Sequence, residues 1–160
     1  METTGPPEDV LGCPVPIARF VARTGLAVVA LQHVVAYPGG CSFVVHLTVR
    51  RGSLDAVTWG NIADSHAGGY PGPTDEGLQF RVSEGSVVEI GGGASYDDHR
   101  YRGDRQLWLS ALPAEPVEFS VEWRKVGLAR TATTIDGRAI AAAAARAEPY
   151  WPTPPRPPRP

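Results

Sequence analysis

With 160 residues and a formal charge of −2, the chain has room for one domain and offers no broad cationic surface to a phosphate backbone, so general nucleic-acid binding is not expected. It is 42% hydrophobic and 20% charged, which suits a folded protein and excludes wholesale disorder. Its 18 glycines and 16 prolines interrupt helices throughout and exclude a long-helix architecture.

In chain order, residues 1–16 hold Gly5-Pro6-Pro7 and Pro14-Val15-Pro16 and are expected to form an extended, flexible lead-in. Ile17–Arg23 fits one helical turn or a short edge strand. Leu26–Tyr37 and Cys41–Arg51 are rich in Val and Leu and flank Pro38-Gly39-Gly40, the pattern of a hairpin with a three-residue loop. Setting Tyr37 opposite Cys41 brings Val35 to Phe43, His33 to Val45, Leu31 to Leu47 and Val29 to Val49. That register gathers the apolar set on one face, with His33 in the core and Gln32 opposite His46 on the other face.

Between Gly52 and Gly77 the alternation fails, and Ala67–Pro73 is a loop by composition, although Leu54–Trp59 retains the apolar character to pack on a core. Leu78–Val82 alternates as a strand, with Val87–Ile90 as its expected partner across Glu84-Gly85-Ser86. Gly91–Arg105 reads as a polar, glycine-led loop. Gln106–Leu112 and Val117–Trp123 read as a second hairpin through Pro113–Pro116, with Val117, Phe119, Val121 and Trp123 on its core side. Leu128–Ile135 supplies a last strand. Asp136 then has the position of an N-cap before an alanine-rich helix of about three turns over 137–147, with Ile140 as its anchor. Residues 149–160 form a proline-rich tail of polyproline II character. A body over 17–148 with about seven short strands predicts an all-β, mainly antiparallel fold in which two sheets bury their apolar faces against each other.

The order of the segments Leu26–Arg50, Leu78–Ser86 and Leu107–Trp123 resembles the Ig-like β-sandwich domains of proteins from high-GC Gram-positive (actinobacterial) bacteria. The resemblance spans about residues 24–135 at the level of pattern. It implies an Ig-like two-sheet sandwich and carries no catalytic motif.

The apolar run from Leu26 to Leu31 after Arg19 and Arg23 loosely imitates a leader. However, Glu2, Glu8 and Asp9 precede it, Gln32 and His33 interrupt it, and it is too short to span a bilayer. A cytoplasmic location without a membrane is therefore expected. The two cysteines, Cys13 and Cys41, are too few for a disulfide framework or a zinc site, and free thiols are the simpler reading.

Chemistry-bearing residues concentrate in the 91–105 loop. Asp97, Asp98, His99 and Asp104 supply carboxylates and an imidazole suited to a divalent ion or to acid–base work. Consecutive residues seldom converge on one point, however, and calcium-loop spacing is absent. Asp64-Ser65-His66 lacks the spatial separation of a triad, and Gly91-Gly92-Gly93 lacks the lysine of a phosphate-binding loop. Arg102-Gly103-Asp104 is an integrin tripeptide of a kind that chance supplies in an arginine- and glycine-rich chain. Pro154, Pro157 and Arg159 match the PxxPx+ pattern that aromatic grooves such as SH3 domains bind. Trp151 beside them, and Trp108 if it faces away from the core, would add apolar contact area. No cofactor is expected. The leading expectation is a non-catalytic protein-binding or assembly module whose partner is another protein. The alternatives are a small metal-binding or hydrolytic domain on the 91–105 loop, and a structural subunit of a larger assembly.

Overall fold

The computed structural model describes residues 5–64 and 77–152. Ser65-His66, the loop 67–73 and the tail residues Pro154, Pro157 and Arg159 lie outside the described residues. The first hairpin forms from β3 (Ala27–Tyr37) and β4 (Gly40–Arg50). Its loop is only Pro38-Gly39, and Gly39 has φ +87°, the left-handed position that a type II turn requires after proline. Gly40 therefore belongs to the strand, and the register moves. Tyr37 faces Gly40, Ala36 faces Cys41 and Val34 faces Phe43. A bulge at Gln32 moves it again, so that Leu31 faces Val45 and Ala30 faces His46.

This corrects the expected register of Tyr37 on Cys41. On β4 the inward set is the expected one, with Cys41, Phe43, Val45, Leu47 and Val49 fully buried. On β3 it is Ala27, Val29 and Leu31 before the bulge and Val34 and Ala36 after it. An extra residue exchanges the faces of every later side chain, which strict alternation cannot anticipate. His33 is accordingly half-buried on the outer face rather than in the core.

The chain joins this sheet earlier than expected, through β2 (Cys13–Arg23) paired antiparallel to β3. Pro14 and Pro16 are tolerated because β2 is an edge strand. Ahead of it, β1 (Val10–Leu11) will pair with the far end of the chain. After β4 comes an unexpected helix, α1 (Ala56–Asp64). The Asp55 carboxylate accepts the Thr58 N–H at 2.7 Å, an N-cap, and the helix buries Trp59 and Ile62.

The remaining strands are β5 (Gln79–Val82), β6 (Val87–Tyr96), β7 (Arg100–Leu109), β8 (Val117–Trp123) and β9 (Leu128–Ile135). Their pairing departs from expectation twice. β6 pairs with β7 rather than with β5, so Gly91–Arg105 is most of a hairpin rather than a loop. β7 and β8 belong to different sheets, so the expected hairpin through Pro113–Pro116 is instead a crossing between sheets.

One sheet has the order β2-β3-β4-β7-β6 and the other β5-β8-β9, all antiparallel. They meet through Phe43 stacked on Phe119 at 5.4 Å and Tyr101 edge-on to Trp123 at 6.5 Å. Arg19 ties the open edges together by donating to the Thr134 carbonyl at 2.7 Å. Helix α2 (Gly137–Ala144) is capped by Asp136 as expected, anchored by fully buried Ile140, and about two turns long. The chain then closes through β10 (Glu148–Pro149), paired with β1. No helix among the described residues is long and apolar enough to cross a membrane.

Candidate functional site

The polar run singled out in the sequence is divided by the hairpin. Asp97, Asp98 and His99 form its tip, while Asp104 lies down β7 on the outer face. The Asp97 carboxylate accepts the N–H groups of His99 at 2.7 Å and Arg100 at 2.8 Å. Those two bonds hold its carboxyl below the usual aspartate range. The tip is fastened from below, because Trp59 Nε1 donates to the Asp97 carbonyl at 3.0 Å and Arg51 reaches the Asp98 carbonyl at 3.4 Å. Asp97 thus serves as a turn-former. Among the described residues no three His, Cys, Asp or Glu side chains gather closely enough to hold a metal ion.

Asp104 instead meets a residue that sequence spacing did not connect to it. His46 on β4 and Asp104 on β7 are direct cross-strand neighbours, with Nδ1 and Oδ1 2.7 Å apart. The Thr48 hydroxyl lies 3.5 Å from Nε2. Finding this pair required the pairing of β4 with β7, which alternation alone does not reveal. The dyad borders a shallow groove of about 250 Å³, lined also by Gly93, Ser95 and Arg102.

An ion pair was equally hidden. Arg105 points inward from β7 and is only 4% exposed. Its Nε lies 3.1 Å from Glu89, and it donates to the Tyr101 hydroxyl at 3.1 Å. Burial pushes the Tyr101 hydroxyl upward. Pairing and hydrogen bonding are what make such a buried guanidinium tolerable.

The other end of the outer face is apolar, and the tryptophan at its centre is covered. Trp108 does point away from the inter-sheet core, but at 2% exposure it offers no free contact surface, which corrects its expected role as a partner contact. Tyr37 packs edge-on to it at 5.8 Å, and its indole donates to the Ser110 hydroxyl at 3.0 Å. Gly40 has no side chain because a Cβ there would run into the Trp108 ring. The ribbon of β1 and β10 closes this end. Gly12 sits against Val35 and Tyr37, and the Tyr150 N–H donates to the Asp9 carbonyl at 2.8 Å. Tyr150 lies close enough to Tyr37 to join burial in raising its hydroxyl pKa.

Beyond that fastening the chain turns outward, and Trp151 is 76% exposed. The two cysteines are free thiols that flank Ala36 from opposite sides. Two strand spacings, roughly 9–10 Å, separate them and prevent a disulfide. Comparison of the chain with protein-family models, with curated proteins and with solved structures finds no match.

Proposed function

We propose that this chain is a non-catalytic binding module whose partner is another protein, engaged through the segment that begins at Trp151. The observation that carries the reading is the contrast between neighbours. The β1–β10 ribbon and the Tyr150–Asp9 bond fasten the chain to the body, and the next side chain, a tryptophan, stands 76% in solvent. Large exposed aromatics supply contact area at low entropic cost. The residues that follow in sequence carry Pro154, Pro157 and Arg159 in the order an aromatic groove binds. A fixed base for a short proline-rich ligand lowers the ordering cost of binding.

An Ig-like sandwich is the scaffold in this reading. Its support is the strand order: omitting the added edge β2, β3-β4-β7-β6 against β5-β8-β9 follows the A-B-E-D and C-F-G order of constant-type Ig domains. The sequence resemblance to actinobacterial Ig-like domains points the same way. Free thiols in both cysteines suit the reducing setting of a cytoplasm.

The test is a titration of the full chain with a purified SH3-type domain, followed by calorimetry. Micromolar binding that weakens at least about tenfold, or 1.4 kcal/mol, in both Trp151→Ala and Arg159→Glu is the expected result. Affinity unchanged by both substitutions, or no binding, rejects this binding mode.

A further inference from the structure

The outer face of the five-stranded sheet carries Arg50, Arg100 and Arg102, and none of the three forms an ion pair with a carboxylate among the described residues. Arg50 and Arg100 are directly opposed across β4 and β7, and Arg102 follows on the same face, opposite Thr48. All three are exposed. Opposed residues in an antiparallel pair have Cβ atoms about 5 Å apart, and like charges so placed repel each other. The ion pairs among the described residues are Glu89–Arg105 and Glu122–Arg124, beside the His46–Asp104 hydrogen bond, and none involves these arginines.

Two of the three nearby carboxylates are engaged elsewhere, and Asp98 at the hairpin tip forms no ion pair with these arginines. Asp97 feels the charge of Arg100 but gives its Oδ1 to the two turn N–H groups, and Oδ1 of Asp104 lies 2.7 Å from His46 Nδ1. Ser95 stands opposite Arg102 from the β6 side, so a hydroxyl-bearing residue neighbours Arg102 on each adjoining strand. Beyond them the groove over Gly93 stays open, since nothing approaches the space a Cβ would fill there.

We propose that Arg50, Arg100 and Arg102, with the Thr48 and Ser95 hydroxyls, bind the phosphate group of a small phosphorylated ligand. Guanidinium forks match phosphate oxygens bidentately, and an anion seated between Arg50 and Arg100 converts their repulsion into attraction to a shared charge. Three cations within roughly 10 Å fit one or two phosphates and do not track a nucleic-acid backbone. The Asp104 carboxylate at the far end of the groove repels a second anion, so the phosphate lies at the hairpin end. The uncharged remainder of the ligand then lies toward His46. Because the site is open to water, its affinity falls with salt.

The experiment is a titration of the full, isotopically labelled chain with pyrophosphate, read by amide chemical shifts at constant ionic strength. Saturable shifts confined to residues 46–50, 93–95 and 99–104 are expected. Arg100→Gln and Arg102→Gln each weaken binding at least about tenfold, whereas Arg130→Gln on β9 leaves it unchanged. Folding is checked by melting the ligand-free variants. Arg100→Gln melts no lower than the parent because it removes a cross-strand repulsion, and pyrophosphate raises the melting temperature of the parent but not of the variant. Shifts that do not saturate, that sodium sulfate reproduces equally, or that Arg130→Gln weakens as much would overturn the proposal. So would tighter binding of a single-stranded oligonucleotide than of pyrophosphate.

Discussion

Replacing Trp108 by alanine separates two pictures of the outer face. Were the ring an exposed apolar spot, as alternation along Gln106–Leu112 suggests, the change would cost within about 0.5 kcal/mol. In the structure the ring is 2% exposed, packed on Tyr37 and Gly40, and hydrogen-bonded to Ser110. Truncating so buried a side chain leaves a cavity and costs about 3–5 kcal/mol. That is a large part of the roughly 5–15 kcal/mol that stabilises a domain. With a urea slope of about 2 kcal/mol per molar, the unfolding midpoint drops by about 1.5–2.5 M. Far-UV circular dichroism follows the transition without relying on the deleted chromophore. A companion cycle with Tyr37→Leu should show about 0.5–1.5 kcal/mol of coupling for the edge-on pair. A midpoint shift below about 0.3 M for Trp108→Ala would refute the covered outer face and the terminal ribbon that closes it.

Three further outcomes follow from the same geometry. Burial pushes the Cys41 thiol up to about 12, so the folded chain keeps it protonated where the unfolded chain ionises it. Its stabilising contribution is therefore full below about pH 8.5 and declines as pH rises toward 12; iodoacetamide at pH 8 should spare Cys41 in the native protein while labelling half-buried Cys13, as mass spectrometry will show. The Asp97 carboxyl is held low by the turn N–H groups, so its contribution is present at neutral pH and fades as pH falls below the ordinary aspartate value of about 3.9. Asp97→Ala should accelerate amide exchange at His99 and Arg100 without moving signals of β8. Ile140→Ala, at the fully buried anchor of α2, should lower stability by about 2–5 kcal/mol in urea unfolding, and a loss below 1 kcal/mol would show that α2 is not docked on β2 and β3.

The all-β class was legible because the inward sets of β4 and β8 alternate cleanly, and the Asp136 cap was legible because capping is local. What was not legible depends on non-local pairing or on insertions. The bulge at Gln32 reassigns His33 to the outer face, and no nearest-neighbour pattern announces it. Gly91–Gly93 carries no side chains to alternate, so β6 beyond Ile90 read as a loop although Gly91–Tyr96 pairs with β7. The second strand partner of β7 is β4, fifty or more residues earlier, and this long-range pairing is what joins His46 to Asp104. Helix α1 hid for the opposite reason. Apart from Ala56 and Ala63 its residues are weak helix formers, and burial of Trp59 and Ile62 against the body secures it instead. Of the residues singled out at first, Asp97, Asp98 and His99 stay together only as an exposed turn, and Trp151 is the large aromatic among them that is presented outward among the described residues.

The most direct measurement is a fluorine NMR spectrum of the chain with its four tryptophans replaced by 5-fluorotryptophan, recorded before and after addition of the SH3-type domain. Trp59, Trp108 and Trp123 are buried and Trp151 is exposed. The account predicts one solvent-sensitive resonance, assigned to Trp151 by its loss in Trp151→Phe, and predicts that this resonance alone shifts on binding. A second solvent-sensitive resonance assigned to Trp108, or binding that leaves the Trp151 signal in place, would contradict it.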